Sequence, residues 1–134
     1  MTRILSFDPG VTTGYALLDV DGDAEPSLLI AGEFPLWGKY MEEFLIENKP
    51  DIVVYEEFRL YPAVAKAKSW STFPEVEVIG VIKYLCEQRG TPLIAQRASV
   101  KARTTIPPRV AGVRGPHARD ALKHALYYIE RTRQ

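Results

Sequence analysis

The segment Asp51-Ile52-Val53-Val54-Tyr55-Glu56 constrains the fold of this chain more than any other. It is β-branched and almost continuously apolar, the signature of a strand covered on both faces in the interior of a sheet. Covering both faces takes helices, and the sequence supplies three. Trp37, Tyr40, Met41, Phe44 and Leu45 recur at three and four residues and mark one helical face before a stop at Asn48-Lys49-Pro50. Val78, Ile79, Ile82, Leu85 and Cys86 do the same from about Pro74 to Arg89, with Gly90 placed to end the helix. A last helix starts around Pro116, where proline suits the first turn, and runs to about Arg131.

The remaining apolar runs are strands. Arg3–Phe7 stops at Asp8-Pro9-Gly10, Gly14–Asp19 follows, and the acidic turn after Asp19 leads to Leu28–Gly32, so the chain opens with an antiparallel meander. A short strand at Pro92–Ala95 precedes the basic stretch Arg97–Arg103. The expected order is β-β-β-α-β-α-β-α, an α/β fold with residues 1–134 as one domain. Residues 59–73 carry Arg59, Tyr61, Lys66, Lys68, Trp70 and Phe73 with little periodicity and read as a loop or short helix.

Composition excludes several classes. No apolar run approaches the roughly 18 residues of a membrane span, no secretory signal pattern precedes the first strand, and a single cysteine, Cys86, rules out an internal disulfide framework. The expectation is a soluble protein of a reducing cytoplasm, in a bacterium or a phage-infected host cell. Net charge is zero, yet residues 1–58 hold 3 Lys/Arg against 12 Asp/Glu, while residues 59–134 hold 14 against 5. That asymmetry is expected to give the later elements a basic surface able to neutralise phosphates, and the earlier ones acids for a site or for solvation.

Three of those acids stand where a site would need them. Asp8 ends the first strand, Glu56 ends the buried strand, and Asp120 lies in the first turns of the last helix. Carboxylates set in apolar surroundings need a cation or hydrogen bonds, and hard oxygen donors favour Mg²⁺ or Mn²⁺ over zinc. His117 precedes Asp120 by three residues and shares its helical face. His124, seven residues beyond His117, reads as part of the same stripe. The loop Asp8–Gly14 permits close backbone approach but lacks the lysine and hydroxyl of a Walker A loop. The turn after Asp19 lacks the glycine and the closing glutamate of an EF-hand.

These motifs have a family likeness. Ile4-Leu5-Ser6-Phe7-Asp8-Pro9-Gly10-Val11-Thr12-Thr13-Gly14-Tyr15-Ala16 resembles the first motif of RuvC-type Holliday junction resolvases, particularly the shorter phage-borne ones. Val54-Tyr55-Glu56-Glu57-Phe58 is similar to the second-acid motif, and His117-Ala118-Arg119-Asp120-Ala121-Leu122 to the closing one. Ser99-Val100-Lys101 resembles the basic segment placed near the DNA backbone. The resemblance implies an RNase H-like fold with a mixed five-stranded sheet flanked by helices, a homodimer, and hydrolysis of four-way DNA junctions by two divalent ions. It carries the metal-site and catalytic roles to Asp8, Glu56, His117 and Asp120, with Glu57 competing for the second role and motif register favouring Glu56. DNA contacts fall to Phe58, Arg59, Tyr61, Lys66, Lys68, Lys101 and Arg103. Of these, Arg59 stands where the family places the aromatic wedge that opens the crossover, with Phe58 and Tyr61 beside it as candidates to insert or stack, and Phe58 also suits a core. The chain is shorter than typical cellular resolvases between Lys101 and Pro116.

Other readings stay open. The substrate could be branched DNA more broadly, or an RNA–DNA hybrid as for ribonuclease H, and a non-catalytic DNA-binding module could keep the fold without the chemistry. Asp8–Gly14 also resembles the phosphate loop of actin-like sugar kinases. Those need two such halves to enclose ATP, so no nucleotide cofactor is expected.

Overall fold

The computed structural model describes residues 1–35, 39–59 and 73–133. Its five-stranded sheet has the order β3-β2-β1-β4-β5. The strands are β1 (Thr2–Asp8), β2 (Thr13–Val20), β3 (Ser27–Phe34), β4 (Ile52–Glu56) and β5 (Leu93–Gln96). The first three form the expected antiparallel meander, and β4 and β5 run parallel to β1. Three α-helices are described: α1 (Lys39–Asn48), α2 (Pro74–Arg89) and α3 (Pro116–Thr132). Short 3₁₀ turns at Ala98–Arg103 and Pro108–Val110 join β5 to α3.

The apolar β4 segment lies between β1 and β5, and side-chain alternation divides it between two cores. Val53 and Tyr55 join Leu5, Phe7 and Leu17 under α1 and α2, where Met41, Leu45, Val78 and Ile82 are buried. Val54 joins Ile4, Ala16 and Leu18 under α3, where Ala121, Leu122, Ala125 and Ile129 are buried. Cys86 is part of the first core, and burial pushes its thiol up to about 11. The helix–sheet–helix layering follows from this split. On α1 the buried stripe is narrower than the periodicity suggests: Met41 and Leu45 are fully buried, but Tyr40 in the first turn is 56% exposed. Trp37 lies outside the described residues.

The α3 layer is built for close approach. Ala118, Ala121 and Ala125 face Ser6, Gly14 and Ala16 on the sheet, all small, so the helix backbone can sit near β1 and β2. At Gly14 the fit is absolute, because a Cβ there would overlap the His117 carbonyl. The helix N-terminus has no cap from its own Gly115. Instead Glu33 reaches over from β3, its Oε2 accepting the backbone N–H of His117 at 2.8 Å and of Ala118 at 3.2 Å. Gly115 adopts φ +92°, and a Cβ there would fall 2.6 Å from that same carboxylate. Among the described residues no helix is long and apolar enough to cross a membrane.

Candidate active site

Register carries the acids to one place. Phe7 stands opposite Tyr55 in the β1–β4 pair, so Asp8 and Glu56, one residue further on each, end neighbouring parallel strands on the α3 side. Tight docking of α3 then brings His117 and Asp120, in its first turns, over those strand ends. His117 Nδ1 lies 3.0 Å from Asp8 Oδ2. Lys101, from the first 3₁₀ turn, sets its Nζ 2.9 Å from Glu56 Oε1 and 3.4 Å from Asp120 Oδ2. The four residues singled out from sequence therefore converge, and Lys101 stands among them.

Electrostatics distinguish the two strand-end acids. Asp8 is 6% exposed. Burial pushes its carboxyl above the ordinary range and repulsion from Glu56 and Asp120 adds to the rise, while the His117 hydrogen bond and the Lys101 charge offset only part of it. Glu56 is also pushed up by burial, but the His124 hydrogen bond and the Lys101 ammonium beside it outweigh that and hold it below the ordinary range. Lys101 shows the reciprocal pattern. Burial disfavours its charge, and the carboxylates of Glu56, Asp120 and Asp8 more than restore it.

Among the described residues no three His, Cys, Asp or Glu side chains are drawn together tightly enough to form a metal cage. The carboxylates nevertheless already hold a cation, the Lys101 ammonium between Glu56 and Asp120. Their donor set of hard oxygens, with one imidazole alongside, suits Mg²⁺ or Mn²⁺.

The other residues named from sequence are scattered. Glu57, just past the end of β4, pairs instead with Arg59 at 2.7 Å and Arg97 at 3.9 Å. With Phe58 these line a cleft of about 310 Å³ that opens beside Glu56. Phe58 is half-buried, packing on the α1–α2 core and against Phe73 with ring centroids 5.5 Å apart. Arg103 is not at the acids. It lines a separate cavity with Arg109 and Arg133 beside the final turns of α3. Tyr61, Lys66 and Lys68 lie outside the described residues. Sequence reading missed Gln96 and the partnership of His124. His124 Nε2 is 2.9 Å from Glu56 Oε1, and Gln96 Nε2 is 3.2 Å from His124 Nδ1. The 117-120-124 spacing on one helical face was the available signal.

No protein-family model matches the sequence, and no curated protein matches it. Solved structures do. The chain is similar to T. thermophilus RuvC in complex with a Holliday junction substrate, at 17% identity and a TM-score of 0.75, over 99% of this chain and 96% of that one. The fowlpox virus Holliday junction resolvase aligns at 17% identity and a TM-score of 0.66, over 96% and 99% respectively. The yeast mitochondrial Holliday junction resolvase aligns at 12% identity and a TM-score of 0.62, over 96% and 78%. With its mixed sheet and flanking helices, the chain has the RuvC-type, RNase H-like fold.

Proposed function

We infer that this protein is a metal-dependent endonuclease that resolves four-way DNA junctions. The observation that carries the reading is the gathering of Asp8, Glu56 and Asp120 at the ends of two central strands and the start of α3, in a fold shared with a RuvC seen bound to a Holliday junction. In this reading the three carboxylates and His117 hold two divalent ions, Mg²⁺ with Mn²⁺ as a substitute. Such ions supply Lewis acidity, lowering the pKa of an attacking water and stabilising the leaving 3′ oxygen.

The protein's own groups do the rest. Lys101 offsets the repulsion between Glu56 and Asp120 and would add positive charge beside a phosphate bound there. His117, its side chain 45% exposed beside Asp8, presents a ring edge to water or the leaving oxygen. Arg59 and Arg97, on the cleft next to Glu56, supply positive charge for the adjoining backbone. Water adds to phosphorus as the P–O3′ bond breaks, giving a 5′-phosphate and a 3′-hydroxyl. Two symmetric nicks require two such sites, so the working form is a homodimer.

Labelled four-way, Y-shaped, flap and linear DNA, with an RNA–DNA hybrid, incubated with Mg²⁺ or Mn²⁺ test this reading. Paired symmetric nicks in the four-way substrate are expected. Cutting of every branched substrate alike would broaden the activity, and hybrid cleavage alone would make the protein a ribonuclease H. Asp8→Asn is expected to slow cutting by roughly 100-fold or more while junction affinity in gel shift stays close to wild type. Undiminished cleavage would remove Asp8 from the site.

A further inference from the structure

His124 sits one turn beyond Asp120 on α3 and is wholly buried. An imidazole there costs free energy unless both ring nitrogens find partners. Both do: Nε2 faces Glu56 Oε1 at 2.9 Å, and Nδ1 faces Gln96 Nε2 at 3.2 Å. Gln96 Nε2 also donates to the His124 carbonyl at 2.9 Å. A carbonyl only accepts, so the end of the Gln96 amide that meets α3 is its NH₂ group. With that NH₂ donating to the ring, Nδ1 must accept. The ring is therefore neutral, its single proton is on Nε2, and it points at Glu56.

The pair is anchored on both sides of Glu56. Gln96 lies opposite Glu56 in the β4–β5 register, and its carbonyl accepts the Glu57 N–H at 2.8 Å. The Lys101 ammonium pairs with the same Oε1 at 2.9 Å. No hydrogen bond to Glu56 Oε2 is found among the described residues. Resting on the nuclease reading, the geometry points to Gln96 and His124 as positioning residues that hold Glu56 by Oε1 through an Nε2-protonated imidazole and so present Oε2 to a bound divalent cation. A simple tether between helix and sheet would need neither this tautomer nor any effect on metal affinity. Outer partners that fix a ligand's orientation are worth roughly 10- to 100-fold in metal affinity.

Two measurements on the full chain test the assignment. Long-range ¹H–¹⁵N spectra of the metal-free protein are expected to show His124 as the neutral Nε2–H tautomer, with Nδ1 unprotonated, and to lose that pattern in Gln96→Leu. Calorimetric titration with Mn²⁺ is expected to show affinity falling roughly 10- to 100-fold in His124→Leu. His124→Gln, whose amide nitrogen can occupy the Nε2 position, should recover most of it. Junction binding in chelator should be the same for all three. An Nδ1–H tautomer or an imidazolium would overturn the relay. So would His124→Leu binding Mn²⁺ as tightly as wild type, and the nuclease reading would then stand. A wild-type protein that takes up no Mn²⁺ yet shows the Nε2–H tautomer would overturn the nuclease reading and leave only the orientation of Glu56.

Discussion

Asp8 and Glu56 are neighbours with opposite effects on the metal-free fold. The Asp8 carboxyl is raised by burial and by its acidic neighbours, so the folded state holds its proton to higher pH than the unfolded chain does. Its favourable contribution is complete below the unfolded carboxylate value and lost as pH rises through the folded one. At neutral pH a charged Asp8 therefore destabilises the metal-free protein. In chelator at pH 7, Asp8→Asn should melt at a higher temperature than wild type. The gap should close at acidic pH, where Asp8 is protonated and resembles the amide. Glu56 has the reverse sign: its lowered value gives stability above the unfolded carboxylate range that is lost as pH falls, so Glu56→Gln should lower the melting temperature at pH 7. An Asp8→Asn protein less stable than wild type in chelator would contradict the burial account. Ser6 shows a related cost, since its buried Oγ has no hydrogen-bond partner among the described residues, and its small size beneath α3 is what the packing uses.

Among the elements, α3 decides whether a site exists, because it brings His117 and Asp120 to acids that β1 and β4 place on their own. Gly14 sets its height above the sheet. Gly14→Ala forces a methyl into the His117 carbonyl, and such overpacking costs about 1–3 kcal/mol. The variant should lose that much in urea unfolding, and its cleavage rate should drop further than its junction binding, because the displaced helix carries two site residues. Full activity with unchanged stability would show that α3 can shift freely. Sequence foretold much of this frame. The strand patterns end in acids, the apolar periods give α1 and α2, and Pro116 starts α3. It did not settle Glu56 against Glu57, because a strand apolar on both faces carries no alternation; register with β1 puts Glu56 beside Asp8 in three dimensions, and Glu57 pairs with Arg59 and Arg97. His124 was hidden for a similar reason. On a buried helical stripe a histidine looks like filler until the strand-end partner on the sheet is known. Lys101 and Arg103 read alike as basic residues two apart, yet one turns into the acids and the other toward the far end of α3.

For the whole molecule, the proposed paired nicking turns on whether two copies associate, and the outer side of α2 is a surface on which to test it. Its buried side carries Val78, Ile79, Ile82, Leu85 and Cys86. On the outer side Val76 is 50% exposed and Tyr84 61% exposed, with Gly80 midway between them at four-residue spacing. A Cβ added at Gly80 would meet nothing within 4 Å, so packing among the described residues gives no reason for a glycine that costs a helix interior about 0.5–1 kcal/mol relative to alanine. A second helix approaching closely at that point would give one. Gly80→Leu should therefore fold at least as stably as wild type in the monomer, since leucine is a good helix former in open space. If the proposed homodimer forms through this face, the variant should also shift sedimentation from dimer to monomer at micromolar concentration. Mn²⁺ affinity per chain should stay unchanged, because the acids lie on the α3 side of the sheet. Cleavage of a four-way junction should change from paired to single, uncoordinated nicks. A Gly80→Leu protein that remains dimeric and still cuts in pairs would place the contact between copies on another face.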